Sequence, residues 1–448
     1  KKTALTIEER LQQALVPAEE QPYEVPENWV WVRLGAVCYA SKEKSNDFSN
    51  EIKYIGLEHL EKDKGIVGFS SADKVKSTKN AFQEGQILYG RLRPYLNKHD
   101  IASFSGVCST DILVFEASVL VANVLVDKFF NLPFFIEYVV ANSKGINLPR
   151  VSEKTILNTT FPLPPLSEQQ RIVERIEELF AKLDEAKERL QEVADSFAVR
   201  KAAILHKAFT GELTKQWRRE NGVSDESWEE KKLHEVAFVQ TGVMKGKHYN
   251  GETKLLPYLR VANVQDGYLK LDEIKEIAID VNLIERYSLR KGDVLFTEGG
   301  DYDKLGRGTV WNNEIPGCLH QNHVFAVRPN TSILFDCFLA YQSNSRYGKK
   351  YFLSCSKQTT NLASINSTQL KNFPVLLPSL PEQHEIVRLI DDLLAREHKA
   401  QQATEQVLAS IDLMKKSILA RAFRGELGTN KASEASALEL LKQVLVEN

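Results

Sequence analysis

Lysine, arginine and aromatic residues crowd two stretches of this 448-residue chain, and amides follow the second. In the first stretch Lys74, Lys76, Lys79, Arg91, Arg93 and Lys98 surround Tyr89 and Tyr95, with Glu84 the single acid between Lys74 and Lys98. In the second, Arg346, Lys349, Lys350 and Lys357 accompany Tyr347 and Tyr351 with no acid among them, and Gln358, Thr359, Thr360 and Asn361 follow directly. Lys245, Lys247, Tyr249, Lys304 and Arg307 are further candidates. Ammonium and guanidinium groups neutralise phosphates, while Arg, Gln and Asn offer paired hydrogen bonds to base edges. An ordinary solvated surface carries the same residue types one at a time. As patches, they favour contact with DNA.

Catalytic patterns are missing. There is no G-x-x-x-x-G-K-[ST] phosphate loop, no G-x-S-x-G elbow and no G-x-G-x-x-G after a strand; Gly299-Gly300 and Gly306-x-Gly308 have the wrong spacing. An amino-methyltransferase would need an Asn/Asp-Pro-Pro-aromatic loop for the flipped base, but Pro164-Pro165 sits in Leu-Pro-Pro-Leu. Cys318, His320, His323 and Cys337 could bind zinc in principle, yet their spacing matches no common zinc pattern, and core and loop roles are the simpler reading. The expectation is a chain with no catalytic residue and no metal.

The composition is that of a globular protein, 43% hydrophobic and 26% charged, long enough for two or three domains. A net charge of −2 argues against a histone-like binder but leaves room for a local basic groove. No apolar run approaches a membrane span, and Lys1-Lys2-Thr3 does not open an apolar secretory signal. The chain starts without Met, as a trimmed chain would. Five cysteines without a C-x-x-C suggest reduced thiols and a cytoplasmic setting.

The elements that must carry the candidate residues come in two copies. Pro164–Leu213 returns as Pro378–Leu427 without a gap, at a shift of 378 − 164 = 214, with about 20 of 50 positions identical. Leu166, Glu168 and Gln169 match Leu380, Glu382 and Gln383, and Ile204–Leu213 shares Ile-Leu-x-x-Ala-Phe-x-Gly-Glu-Leu with Ile418–Leu427. Weaker matches keep the same order upstream: Trp29 with Trp228, Tyr54 with Tyr258, Gly85-x-Ile-Leu-Tyr89 with Gly292-x-Val-Leu-Phe296, Cys108 with Cys318, and Asn147-Leu148 with Asn361-Leu362. The layout is globule, long helix, globule, long helix. The globules read as α+β, with strands expected at Ile87–Tyr89, Ile112–Phe115, Val294–Phe296 and Val324–Val327 and short helices at Phe129–Asn142 and Asp336–Ser345.

In the first long helix Ile172, Ile176, Leu179, Leu183, Ala186, Leu190, Val193 and Phe197 step 4-3-4-3-4-3-4, a heptad seam. The second continues it with Ile386, Ile390, Leu393, Ala400, Val407, Ile411, Met414 and Ile418, interrupted by Glu397 and Thr404. Ser167 with Gln170 is expected to cap the first helix, Ser379 the second, where Pro381 replaces Ser167, and Gly211 to end the first. A helix over 168–209 would be roughly 63 Å long. Its apolar stripe must be buried, and the other copy, running antiparallel, is the best partner. Near the ends, Glu9, Leu11, Gln13, Leu15 and Val16 echo Glu439, Leu441, Gln443, Leu445 and Val446 as two short helices, with a capping box at Thr6 and Glu9.

The run 162–173, Pro-Leu-Pro-Pro-Leu-Ser-Glu-Gln-Gln-Arg-Ile-Val, and its echo at 377–387 resemble the conserved helical regions of specificity subunits of type I restriction–modification systems. The doubled Ala-Phe-x-Gly-Glu-Leu, Pro26-x-x-Trp29 and Leu92-Arg93-Pro94-Tyr95 support the resemblance, which covers nearly the whole chain. It implies two pseudo-twofold-related α+β target recognition domains with an antiparallel coiled-coil pair of long helices between them. The resulting division is 1–22, an N-terminal helical extension; 23–163, recognition domain one; 164–213, the first long helix; 214–377, linker and recognition domain two; 378–427, the second long helix; and 428–448, a linker and short helix. The resemblance also implies a non-catalytic subunit that reads a split double-stranded DNA target. It would dock two modification subunits, which bind S-adenosylmethionine and methylate adenine, and restriction subunits that cleave and translocate DNA using ATP. No cofactor is expected in this chain. Two rival readings stay open at this level: a DNA-modifying enzyme with an unrecognised site, and a protein scaffold that never touches DNA.

Overall fold

A computed structural model describes residues 6–46, 49–75, 77–118, 120–300, 305–358 and 363–447. The chain divides into two compact units, one made of residues 1–190 and 406–448, the other of residues 191–405. Each contains one α+β globule, the first half of one long helix and the second half of the other. Among the described residues no helix is long and apolar enough to cross a membrane.

In the first unit Ile87–Gly90 is flanked by His99–Ile101 and Ile112–Ala117, and Cys38–Ala40 completes a four-stranded antiparallel sheet. All four residues of Ile87–Gly90 are buried, which explains a continuous apolar run where one-sided burial would give alternation. Ile87, Tyr89, Leu113 and Phe115 point into one core, and Leu88, Ile112 and Val114 into another. Above the second core lies a sheet in which Gly106–Cys108 pairs in parallel with Lys53–Ile55. A two-stranded ribbon, Val30–Arg33 with Thr160–Leu163, closes the globule where the long helix begins. The expected helix over Phe129–Asn142 is two helices, Asn123–Phe129 and Pro133–Ala141. Pro133 lacks an N–H and begins the second rather than continuing the first.

The second unit repeats this plan. Val294–Thr297 and Val324–Pro329 are central to a sheet completed by Ala237–Thr241 and Gly308–Val310. Thr253–Leu259 pairs in parallel with Leu319–His320, and Glu229–Lys232 with Pro374–Leu377 forms the closing ribbon. Asp336–Asn344 is helical, followed at once by a second helix, Arg346–Cys355.

The first long helix runs Leu166–Phe209 and the second Leu380–Ala422. Within the first unit Asp184 meets Lys415 at 2.5 Å and Lys187 meets Asp412 at 3.3 Å. Three residues forward on one helix are three back on the other, so the helices are antiparallel there. The seam differs in detail from the heptad reading. Ile172, Ile176, Ile386 and Ile390 are fully buried, but inside the globule cores, where they meet the ends of the opposite helix, Leu419, Ala422 and Phe423 in one unit and Leu205, Ala208 and Phe209 in the other. Phe197 and Ile411 are buried, and Leu179, Leu183, Leu190 and Leu393 half-buried. Val407 and Met414 are 44% and 45% exposed, and Leu408 and Lys415, one residue on, turn inward instead. A straight helix drifts by about 20° per heptad against a 3.5-residue repeat, which moves the stripe in this way. The two supposed interruptions belong to the seam: Glu397 accepts from Arg200 at 2.7 Å, and Thr404 is buried with its hydroxyl on the Ala400 carbonyl. Lys415 also lies 5.1 Å above the Phe180 ring.

The repeated Leu-x-Glu-Gln explains how each helix grips its globule. Glu168 is buried and accepts from Trp29 Nε1 at 2.7 Å, Thr429 Oγ1 at 2.9 Å and Asn430 Nδ2 at 2.8 Å. Next to it, Gln169 accepts from the Ala122 amide at 3.3 Å and donates to the Pro164 carbonyl at 3.3 Å. In the second unit Glu382 is equally buried and accepts from Thr214 Oγ1 and Arg218, each at 2.7 Å. Gln383 accepts from the Phe335 amide at 2.8 Å and donates to the carbonyls of Ile333 at 2.8 Å and Pro378 at 2.9 Å. One difference separates the copies: Trp228 Nε1 and Glu382 Oε2 are buried without a hydrogen-bond partner among the described residues, although Trp29 and Glu168 are joined.

The first helix departs from the capping-box reading, while the second begins directly after Ser379. The first helix begins at Leu166, Ser167 lies inside its first turn, and the Gln170 amide donates to Glu174. Pro165 sets the helix start, so its carbonyl receives the Glu168 and Gln169 amides. Gly211 and Gly425 end the two helices at φ 78° and 73°, and a Cβ on Gly425 would lie 2.4 Å from Pro26. The termini resolve as Ile7–Ala14, with its Thr6–Glu9 capping box, and Ala437–Glu447, both buried against the first unit's core.

Two consequences are measurable. Glu382→Ala leaves the buried Arg218 guanidinium without its main counter-charge, which should cost about 3–5 kcal/mol in urea unfolding. Glu382→Gln keeps an acceptor for Thr214 and should lose less; equal, small losses would contradict the clamp. Burial pushes the His320 imidazole down to about 4, its Nδ1 donating to the Val324 carbonyl at 2.6 Å. The unfolded chain takes up this proton near pH 6.5, before the folded chain does. Stability present above pH 6.5 is therefore lost as pH falls towards 4, by roughly 3 kcal/mol in all. His320→Asn should remove that part of the acid sensitivity in urea midpoints measured from pH 7.5 to 4.5.

Candidate nucleic-acid interface

In the first unit Arg91, Arg93 and Lys98 follow the central strand and Lys74, Lys76 and Lys79 precede it. Tyr89 is excluded as a contact: it is fully buried, packed on Phe130 and Phe135 and stacked on His99. Its strand is central in a sheet with a core on each face, so either orientation would bury the ring, which sequence spacing could not show. Arg91, half-buried, and the exposed Arg93 and Tyr95 lie on the loop that follows. Arg93 and Asn97 both hold left-handed backbone, at φ 53° and 42°, on either side of the short turn Pro94–Leu96. Non-glycine residues adopt this conformation only where surrounding structure imposes it. Here Asn97 is buried and donates to the Phe130 carbonyl at 3.0 Å, and the Arg93 amide donates to Pro149 at 2.7 Å.

Lys98 is turned towards the protein, its Nζ on the Leu57 carbonyl at 3.0 Å. Lys79 lies on a strand paired with Lys44–Ser45 and reaches Ser77 at 2.7 Å. Lys74 lies in the short turn Ala72–Lys74, and Lys76 falls outside the described residues. The loop contains two further cations that sequence reasoning missed, because they come from a segment some 50 residues on. Lys144 and Arg150 pair with each other, and Arg150 also pairs with Leu92. Arg150 is held by Asp111 at 3.0 and 3.3 Å.

In the second unit Lys245 and Lys247 are exposed, Lys247 lying 5.4 Å from the centre of the Tyr249 ring. Arg307 donates to Gln265 at 2.6 Å. Arg346 opens the helix Arg346–Cys355 and is exposed, as are Lys350 and Lys357; Lys349 is half-buried. Tyr347 and Tyr351 on that helix pack against Phe373 and serve the core. Gln358 lies in the short strand Lys357–Gln358. Lys304, Thr359, Thr360 and Asn361 lie outside the described residues. The zinc alternative finds no support in placement: His320 is buried on a carbonyl, and the half-exposed His323 contacts Glu298.

The second unit also has a cleft of about 530 Å3 that the sequence did not announce. Phe238, 62% exposed, lies beside Gln240, Arg286, Arg290 and Arg328. The buried Asp293 neutralises Arg328 through two hydrogen bonds of 2.7–2.8 Å, whereas Arg290 only approaches Glu285 at 3.6 Å. Arg286 and Arg290 come from the stretch Ile284–Arg290 and Phe238 from an edge strand, so only folding brings them together.

Both units thus present exposed cations outside the buried central sheet, in the first on loops braced by hydrogen bonds, in the second at Lys245 and Lys247, on the helix Arg346–Cys355 and at Lys357. Such groups suit phosphate contacts.

The chain is similar to known proteins along most of its length. The model of the type I restriction modification DNA specificity domain matches residues 26–195 and again 225–408. The specificity subunit of the type I restriction enzyme EcoBI of Escherichia coli is 28% identical over 337 residues, covering 70% of each chain. That of StySPI from Salmonella potsdam is 28% identical over 324 residues, covering 69% of each. The crystal structure of an HsdS subunit from Thermoanaerobacter tengcongensis shares the fold at a TM-score of 0.64 and 22% identity, covering 91% of this chain and 99% of that one. With its two matched domains and doubled helices, the chain belongs to the family of type I restriction–modification DNA specificity subunits.

Proposed function

We propose that this chain reads a bipartite double-stranded DNA target, one half-site per globule, and docks two modification subunits on its paired helices. On this reading the modification subunits supply S-adenosylmethionine and adenine methylation, restriction subunits join the same assembly, and this chain does no chemistry itself. The observation that carries the reading is the duplication. Each unit joins an α+β globule bearing exposed cations to half of each long helix, and two equal readers suit a target in two halves. The helices then act as a ruler that sets the gap between half-sites. Five free cysteines suit the reducing cytoplasm, where such an assembly would meet DNA.

The reading has two tests. Affinity for duplex DNA should fall steeply with salt, the logarithm of the binding constant losing about 0.9 per phosphate contact for each unit of log salt. Salt-independent affinity would point to a scaffold, and turnover by the chain alone, with S-adenosylmethionine or magnesium, to an enzyme. Inserting four residues into both long helices adds about 6 Å of helix, nearly two base pairs of rise. The preferred gap between half-sites should widen while the half-sites stay the same. An unchanged gap would overturn the ruler.

A further inference from the structure

The first unit carries a feature that neither its core nor its ion pairs explain. Ile146 is 99% exposed, and Leu148, two residues on, is 46% exposed. They sit on a loop whose base is closed by two reciprocal hydrogen bonds, Lys144 amide to Arg150 carbonyl at 2.9 Å and Arg150 amide to Lys144 carbonyl at 2.8 Å. Gly145 turns the chain at φ 109°, and a Cβ there would lie 2.9 Å from the Leu148 carbonyl oxygen. Pro149 stiffens the return. The base is fastened to the cationic loop by the Arg93 amide on Pro149 and the Val151 amide on Arg91, at 2.7 and 3.0 Å, and Arg150 is pinned by Asp111.

A braced apolar tip in open solvent does nothing for folding stability, since Ile146 is as wet as in the unfolded chain. The surroundings indicate what would cover it. Lys144, Arg93 and Tyr95 are exposed nearby in the two joined segments, so the partner is anionic around an apolar spot. Duplex DNA has this pattern: phosphates on the rims, and the thymine C5-methyl on the major-groove floor. The loop leaves the protein as two chain segments side by side, joined at its base by the Lys144–Arg150 bridge, and the roughly 12 Å major groove admits two paired chain segments more readily than the roughly 6 Å minor groove.

We propose that the loop 144–150 enters the major groove and that Ile146 determines specificity by packing against a thymine methyl, with Lys144 and Arg93 on the flanking phosphates. This rests on the DNA-reading function proposed above and names one of its reading residues.

The test uses the full chain assembled with its modification subunits. Preferred duplexes are selected from a random pool, and each thymine of the selected half-sites is then replaced by uracil, which lacks only the C5-methyl. One position should weaken binding by about fourfold, the value of one buried methyl. In Ile146→Ala that position should lose its sensitivity to uracil and its preference for A·T, while the other half-site is read as before. As a surface change, Ile146→Ala should leave the melting temperature unmoved. If Ile146→Ala selects the same duplexes with the same uracil profile, the proposal fails while DNA reading stands. Equal weakening on unrelated duplexes would make the tip a non-specific contact, and normal DNA selection with lost assembly would make it a protein-docking tip; either overturns the proposal. An assembly that selects no sequence at all would instead overturn the DNA-reading function.

Discussion

A fully buried carboxylate at the first turn of each long helix organises its unit. Taking Glu168 or Glu382 out of water is costly, and only a set of fixed donors can compensate. Those donors come from elsewhere in the same unit: Trp29, Thr429 and Asn430 in one, Thr214 and Arg218 in the other. In each case a donor follows the end of the opposite helix. The carboxylate therefore ties the start of one helix to the end of the other. The adjacent Gln169 or Gln383 binds backbone groups of the globule, so a dipeptide sets the globule and both helices in one register. Gly425 lies against Pro26 at the same junction, where no side chain would fit.

The two copies solve this burial differently. Glu168 uses neutral donors, the Trp29 N–H among them, whereas Glu382 recruits a guanidinium and, among the described residues, leaves one oxygen and the Trp228 N–H unpaired. A buried ion pair is not intrinsically more stabilising than a neutral network. The difference makes the second clamp more sensitive to loss of a partner than the first. The helix seam shows the same tolerance for polar groups. Glu397, Thr404 and Lys415 sit at inward positions, each matched by a hydrogen bond, an ion pair or an aromatic face. Such polar positions favour one register over others, because a slip would leave them unpaired.

The exposed cations of the first globule occupy loops with little packing to lose. The sheets are buried on both faces, and the loops at their margins are held by backbone bridges and ion pairs, as between Leu92 and Arg150 or Arg150 and Asp111. Loops of this kind can change sequence without disturbing the core. The same separation accounts for a chain whose helical motif is duplicated closely while its globules share only scattered positions.

Much of the scaffold was legible from order and period alone. The duplication, the two long helices and the central strands follow from repeated residues and apolar runs, because burial imposes periodicity directly on sequence. The candidate contacts were legible as chemistry but not as surface. Tyr89 has the composition of a contact and the position of a core residue, and a central strand covered on both faces decides between them. Lys144, Arg150 and Ile146 join Arg93 only through pairing across some 50 residues of chain, and Phe238 meets Arg286 only through the sheet edge. The heptad count placed Val407 and Met414 on the seam, but the 3.6-residue turn of a real helix moved it to Leu408 and Lys415. Sequence determines what each segment must bury; which distant segments share a surface depends on closure of the fold, and only the tertiary structure decides it.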